Sequence, residues 1–124
     1  MINANIKLII DKLIAKTNAG QAIWSKTSRD TEFKLELSKG AITTDMWEDE
    51  HGYKMVDLSV YNANGEIIEN DVFHESDEES DFTSLQNVYE SAKKSYYKID
   101  ETFKTIFDEL DGEKTIGRSK ELPF

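Results

Sequence analysis

The sequence predicts an α+β protein: an N-terminal amphipathic helix, a four- to five-stranded antiparallel meander, and a long C-terminal helix, with both helices on one face of the sheet. Three observations predict it. Apolar residues alternate in period two between Glu32 and His74, and they fall at helical spacing from Ile6 to Ile14 and again from Phe82 to Leu110.

The first helix carries Ile6, Ile9, Ile10, Leu13 and Ile14 on one stripe, with Lys7, Asp11, Lys12 and Lys16 left for solvent. Asn3 or Asn5 can cap its start, and Asn18-Ala19-Gly20 can end it, because glycine takes the left-handed position after a helix without strain. Ile23 to Lys26 would form a short fifth strand pairing with Phe33 to Leu37, and Trp24 would then anchor the core or its rim.

The meander can be tested for register. A four-residue loop Ser38 to Ala41 places Leu37 opposite Ile42 and Phe33 opposite Met46, with Gly40 at a turn position of positive φ. A five-residue loop Glu48 to Gly52 pairs Trp47 with Tyr53, Thr44 with Val56 and Ile42 with Leu58. A three-residue Ala63-Asn64-Gly65 turn pairs Val60 with Ile68 and Val56 with Val72, Gly65 being left-handed. In this register Leu35, Leu37, Ile42, Val56, Leu58, Val60, Ile68 and Val72 share one apolar face. A slip of one residue would turn that face to water.

Glu75, Asp77, Glu78, Glu79 and Asp81 read as an acidic loop before the last helix, with Asp81 or Thr83 as its N-cap and Thr83 to Gln86 at capping-box spacing. That helix would run to about Leu110 on a stripe of Phe82, Leu85, Val88, Tyr89, Ala92, Tyr96, Ile99, Phe103, Ile106, Phe107 and Leu110. Such a helix spans about 42 Å, more than a small sheet can cover, so the stripe must bend or meet something else, a homodimer mate among the candidates. Residues 1–112 form one α+β domain, and 113–124 form a loose polar tail.

The formal charge of −10 is uneven. Residues 1–44 hold seven basic against four acidic side chains, residues 45–81 one against thirteen, and residues 82–124 seven against eight. The anionic middle argues against binding nucleic acid and suits a basic protein partner. The absence of cysteine excludes disulfides, thiolate catalysis and zinc–thiolate sites, and fits a reducing cytoplasmic location. No stretch has the roughly 20 apolar residues a membrane span requires.

Chemistry is hard to place in this sequence. His51 and His74 stand among carboxylates but lack metal-ligand spacing and a nucleophile, so neither is assigned catalysis. Asn62 to Glu66 lacks the aspartate-led order and the distal glutamate of a calcium loop. No catalytic residue, metal or cofactor follows from the pattern.

In outline the chain resembles small bacterial proteins of unassigned function with a helix, an antiparallel meander and a long closing helix. Trp24, Phe33, the turn from Tyr61 to Gly65, Val88-Tyr89, Ala92, Ile99-Asp100 and Leu110 carry the likeness, which implies a fold and no active site. It is also similar to type III secretion chaperones in being small, acidic and helix-flanked, though no strands follow its last helix. That second likeness implies partner binding. The expected function is therefore non-enzymatic protein–protein interaction, with an acidic chaperone, an immunity protein, a nucleic-acid mimic or a small hydrolase as alternatives. The expected partner surface is the face away from Leu58, where Trp47, Tyr53, Met55 and Tyr61 lie beside the Glu48-Asp49-Glu50 loop.

Overall fold

The computed structural model describes residues 2–77 and 79–117 of the chain. In chain order they form α1 (Ala4–Asn18), β1 (Ser25–Lys26), β2 (Glu32–Leu37), β3 (Gly40–Glu48), β4 (Lys54–Asn62), β5 (Ile67–His74), α2 (Glu79–Tyr97) and α3 (Ile99–Asp111). The five strands make one antiparallel sheet in sequential order. α2 lies against β2 to β5, and α1 lies along α2.

Asn3 caps α1, its Oδ1 accepting from Ile6 N–H at 2.9 Å. Ile6, Ile10 and Leu13 turn inward from α1, and Gly20 takes φ +74° just beyond its end. The fifth strand exists but is only two residues long, Ser25 pairing with Lys34 and Lys26 with Phe33. Trp24 is in the core and donates its indole N–H to Thr17 Oγ1 at 3.1 Å, whereas Ile23 faces solvent.

The apolar face is formed by Phe33, Leu35, Ile42, Val56 and Leu58, with Met46, Val60 and Phe73 at its margin. Two expected registers are displaced by two residues. Leu37 pairs with Gly40 across a two-residue turn, so Phe33 meets Thr44, and Thr44 in turn meets Leu58 rather than Val56. A shift of two preserves parity, and the inner face is unchanged except that Leu37, at the end of the sheet, is exposed. Gly40 is glycine for close approach rather than for positive φ: a Cβ there would come 2.6 Å from the Tyr61 carbonyl oxygen.

The fourth strand pairing corrects the expectation more deeply. The turn forms at Gly65 with φ +81°, and Asn62 Oδ1 accepts from the N–H groups of Asn64 and Glu66. A bulge then falls between Val60 and Tyr61, where Val60 pairs with Glu69 and Tyr61 with Ile67. The extra residue reverses the parity of β5. Phe73 pairs with Val56 and faces inward, while Ile68 and Val72, expected in the core, are 62% and 41% exposed.

The single long helix is also corrected. α2 begins at Glu79, so Asp81 and Thr83 lie within its first turns and are not caps. Phe82, Leu85, Val88, Tyr89 and Ala92 form its buried face. At Lys98 the backbone enters the left-handed region, φ 52° and ψ 45°, which breaks the helix. Tyr96, expected to be buried, is partly exposed there, its ring 5.4 Å from that of Phe33. Of the expected acidic loop, Asp77 Oδ2 accepts from the His74 N–H, Asp81 is buried, and Glu78 lies outside the described residues. So do residues 118–124 of the expected tail.

Candidate functional site

Two surfaces stand out: the sheet face that α2 does not cover, and the apolar stripe of α3.

Strand alternation sets the first. Along β3 and β4 the outward pairs run Trp47 with Met55, Asp45 with Asp57, Thr43 with Ser59, and Ala41 with Tyr61. β2 places Glu32 beside Asp45 and Lys34 beside Thr43. Two carboxylates thus stand directly opposite each other in mid-sheet, an arrangement that costs stability unless something compensates. Asp45 is 0% exposed and Asp57 8%. A cation reaches Asp45: Arg29, from the loop between β1 and β2, places its Nη2 2.7 Å from Asp45 Oδ2. The Asp57 carboxyl is pushed up to about 7, first by burial and then by the charges of Asp45 and Glu32.

On this face Thr43 Oγ1, both Asp45 carboxylate oxygens and Asp57 Oδ1 have no hydrogen-bond partner within the protein, the Arg29 contact to Asp45 Oδ2 being an ion pair. Each such group left without any partner costs about 1–3 kcal/mol. A groove of about 410 Å³ runs along the same face, lined by Glu32, Lys34, Thr43, Tyr61 and the Gly40 turn.

The expected partner residues divide. Trp47, Met55 and Tyr61 share the outer face, but Trp47 faces Met55 across the strands, not Tyr53. Arg29 lies over the Trp47 indole, 5.7 Å from the ring centroid, so part of the covering group comes from the chain itself. Tyr53 instead sits 5.0 Å from the His74 ring. Asp49 is engaged in holding its own loop: Oδ1 accepts from the N–H groups of His51 and Tyr53, and Oδ2 lies 3.1 Å from His74 Nε2. Burial alone would raise the Asp49 carboxyl, but these hydrogen bonds outweigh it and hold it below its ordinary value. Glu48 pairs with Lys54, and Glu50 is exposed beside His51.

Sequence reasoning missed Arg29, Thr43, Asp45 and Asp57. The signal was present in the odd positions of β3 and β4, but the expected register set Asp45 against Met55 and Asp57 against Thr43. A two-residue displacement therefore separated the two carboxylates by a full row on each strand.

The second surface is α3. Phe103, Ile106, Phe107 and Leu110 lie on one side and are 45–58% exposed, and the helix buries no residue. Its polar side holds Asp100, Glu101, Asp108, Glu109 and Asp111 against Lys104. The rings of Phe103 and Phe107 stack with centroids 6.0 Å apart.

Among the described residues no group of three or more His, Asp or Glu side chains could hold a metal ion, and no helix is long and apolar enough to cross a membrane. Neither protein-family models, nor curated proteins, nor solved structures give a match to the chain.

Proposed function

We propose that this protein acts by binding another protein rather than by catalysis, and that α3 is a docking element. One observation carries the reading: a 13-residue helix with a continuous apolar stripe and no buried residue. An amphipathic helix is stabilised mainly by burying its stripe, and this one has no such burial within the described chain. Placing Phe103, Ile106, Phe107 and Leu110 in a groove would contribute on the order of 1.5–3 kcal/mol for each side chain fully buried. Five carboxylates against one lysine on the other side define the groove as apolar with a basic rim. The same charges disfavour an anionic lipid surface.

The test begins with a partner captured by the full chain and identified. Phe103→Ala with Phe107→Ala should then weaken its binding about 100-fold or more, with the thermal midpoint unchanged. Asp108→Lys with Glu109→Lys should weaken binding and flatten its salt dependence. Concentration-dependent sedimentation to a dimer that the phenylalanine variant abolishes would assign the stripe to a second copy and overturn the proposal.

A further inference from the structure

We infer that the open face of the sheet is a binding site for an arginine side chain of a polypeptide partner, and that Arg29 occupies this site in the free protein. The site is separate from α3 and stands or falls on its own observations.

The first observation is a carboxylate buried where no helix covers it. Asp45 is fully enclosed on the outer face, opposite Asp57 and beside Glu32. A buried charge in mid-strand requires an opposite charge, and the chain supplies it from a loop rather than from the sheet. The second is that Arg29 satisfies this demand poorly. A guanidinium offers five N–H donors in a planar fork, yet the Arg29 contact to Asp45, 2.7 Å from Nη2 to Oδ2, leaves a side chain that is 56% exposed. Thr43 Oγ1, Asp45 Oδ1 and Asp57 Oδ1 remain without partners. The acceptors are positioned for more donors than the resident residue delivers.

The geometry also selects the ligand. Two opposed carboxyls and a hydroxyl can accept from a guanidinium fork, and the Trp47 indole, already beneath Arg29, offers a face for the same planar cation. A compact divalent ion would need a third carboxylate or imidazole around one point, which the described residues do not provide. The groove lined by Glu32, Lys34, Glu36, Thr43, Tyr61 and the Gly40 turn shares Glu32 and Thr43 with this site and offers room for the extended backbone that bears the side chain. Arg29 then acts as an internal competitor. A partner must displace it, and its removal raises apparent affinity by the reciprocal of the fraction of time the site is free.

The experiment uses the full-length protein and a blocked Gly-Gly-Arg-Gly-Gly peptide, with Gly-Gly-Gln-Gly-Gly as control. Two indole N–H resonances serve as reporters: Trp47 at the site, and Trp24, hydrogen-bonded to Thr17 in the core, as a measure of folding. The arginine peptide should shift the Trp47 signal, with the midpoint lowered about fivefold or more in Arg29→Gln. The glutamine peptide should leave it in place. Asp45→Asn should abolish the response while the Trp24 signal is retained. An unmoved Trp47 signal in Arg29→Gln, an equal response to the glutamine peptide, or a response that survives Asp45→Asn would overturn the inference. Should Asp45→Asn lose the Trp24 signal, the Arg29→Gln titration alone decides.

Discussion

Leu58 and its chain neighbour Asp57 are buried to nearly the same degree on opposite faces of one strand, and burial has opposite effects on them. Leu58 lies under α2 with Val56 and Phe33, where removal from water is the driving force. Asp57 is enclosed against a second carboxylate with one oxygen unpartnered, so removal from water is resisted by its charge. The inner face holds the fold together. The outer face sets buried carboxylates against each other, and the binding role proposed above would account for that arrangement.

The widest separation between the faces should appear in Leu58→Ala, which removes fully buried methyl groups and should lose about 2–5 kcal/mol in chemical denaturation. A loss under about 1 kcal/mol would mean that the inner face is misassigned. Next is the register that brings Asp45 and Asp57 together. Gly40→Ala drives a Cβ against the Tyr61 carbonyl and should cost on the order of 1–3 kcal/mol, whereas a harmless substitution would remove that register.

Asp57→Asn probes the outer face itself. With its folded value raised to about 7 above an ordinary 3.8, native Asp57 keeps a proton that the unfolded chain releases. Its contribution is fully present below about pH 4 and is lost as pH rises to about 7. An amide at this position cannot ionise, so the variant should gain stability over the native chain in melts at about pH 8 and gain none at about pH 4. A gain that is equal at both pH values would locate the effect in packing. The smallest effect is expected outside both faces: Phe107→Ala on α3 should change stability by less than about 0.5 kcal/mol.

Much of the inner face was legible before the structure, because alternation survives an error of two residues in register. Leu35, Ile42, Val56 and Leu58 remain inside under either pairing. Ile68 and Val72 were not legible, since the bulge beside Val60 adds one residue, and parity cannot survive an odd displacement. Periodicity likewise showed that α2 and α3 share a stripe without showing what covers it. The break at Lys98 sits in a sequence with no glycine or proline to announce it, so one helix was expected where two exist. Trp47, Met55 and Tyr61 were placed on the correct face by alternation alone. Arg29 was invisible there because its role depends on a loop crossing the sheet, and local spacing does not encode that.

The bulge in β5 also bears on the edge of the sheet. Among the described residues β5 is the long edge strand of the sheet, eight residues whose outward backbone groups could template a strand from another molecule. The odd displacement turns Glu69 and Asp71 toward the helix layer at that edge. Asp71 is already raised above its ordinary value by burial and by Glu69, and one of its oxygens has no partner. A strand added along β5 would enclose these carboxylates further, and the bulge would keep it from lying flat. The irregularity that cost the core two aliphatic side chains thus gives this edge the inward charges and broken register that disfavour strand addition.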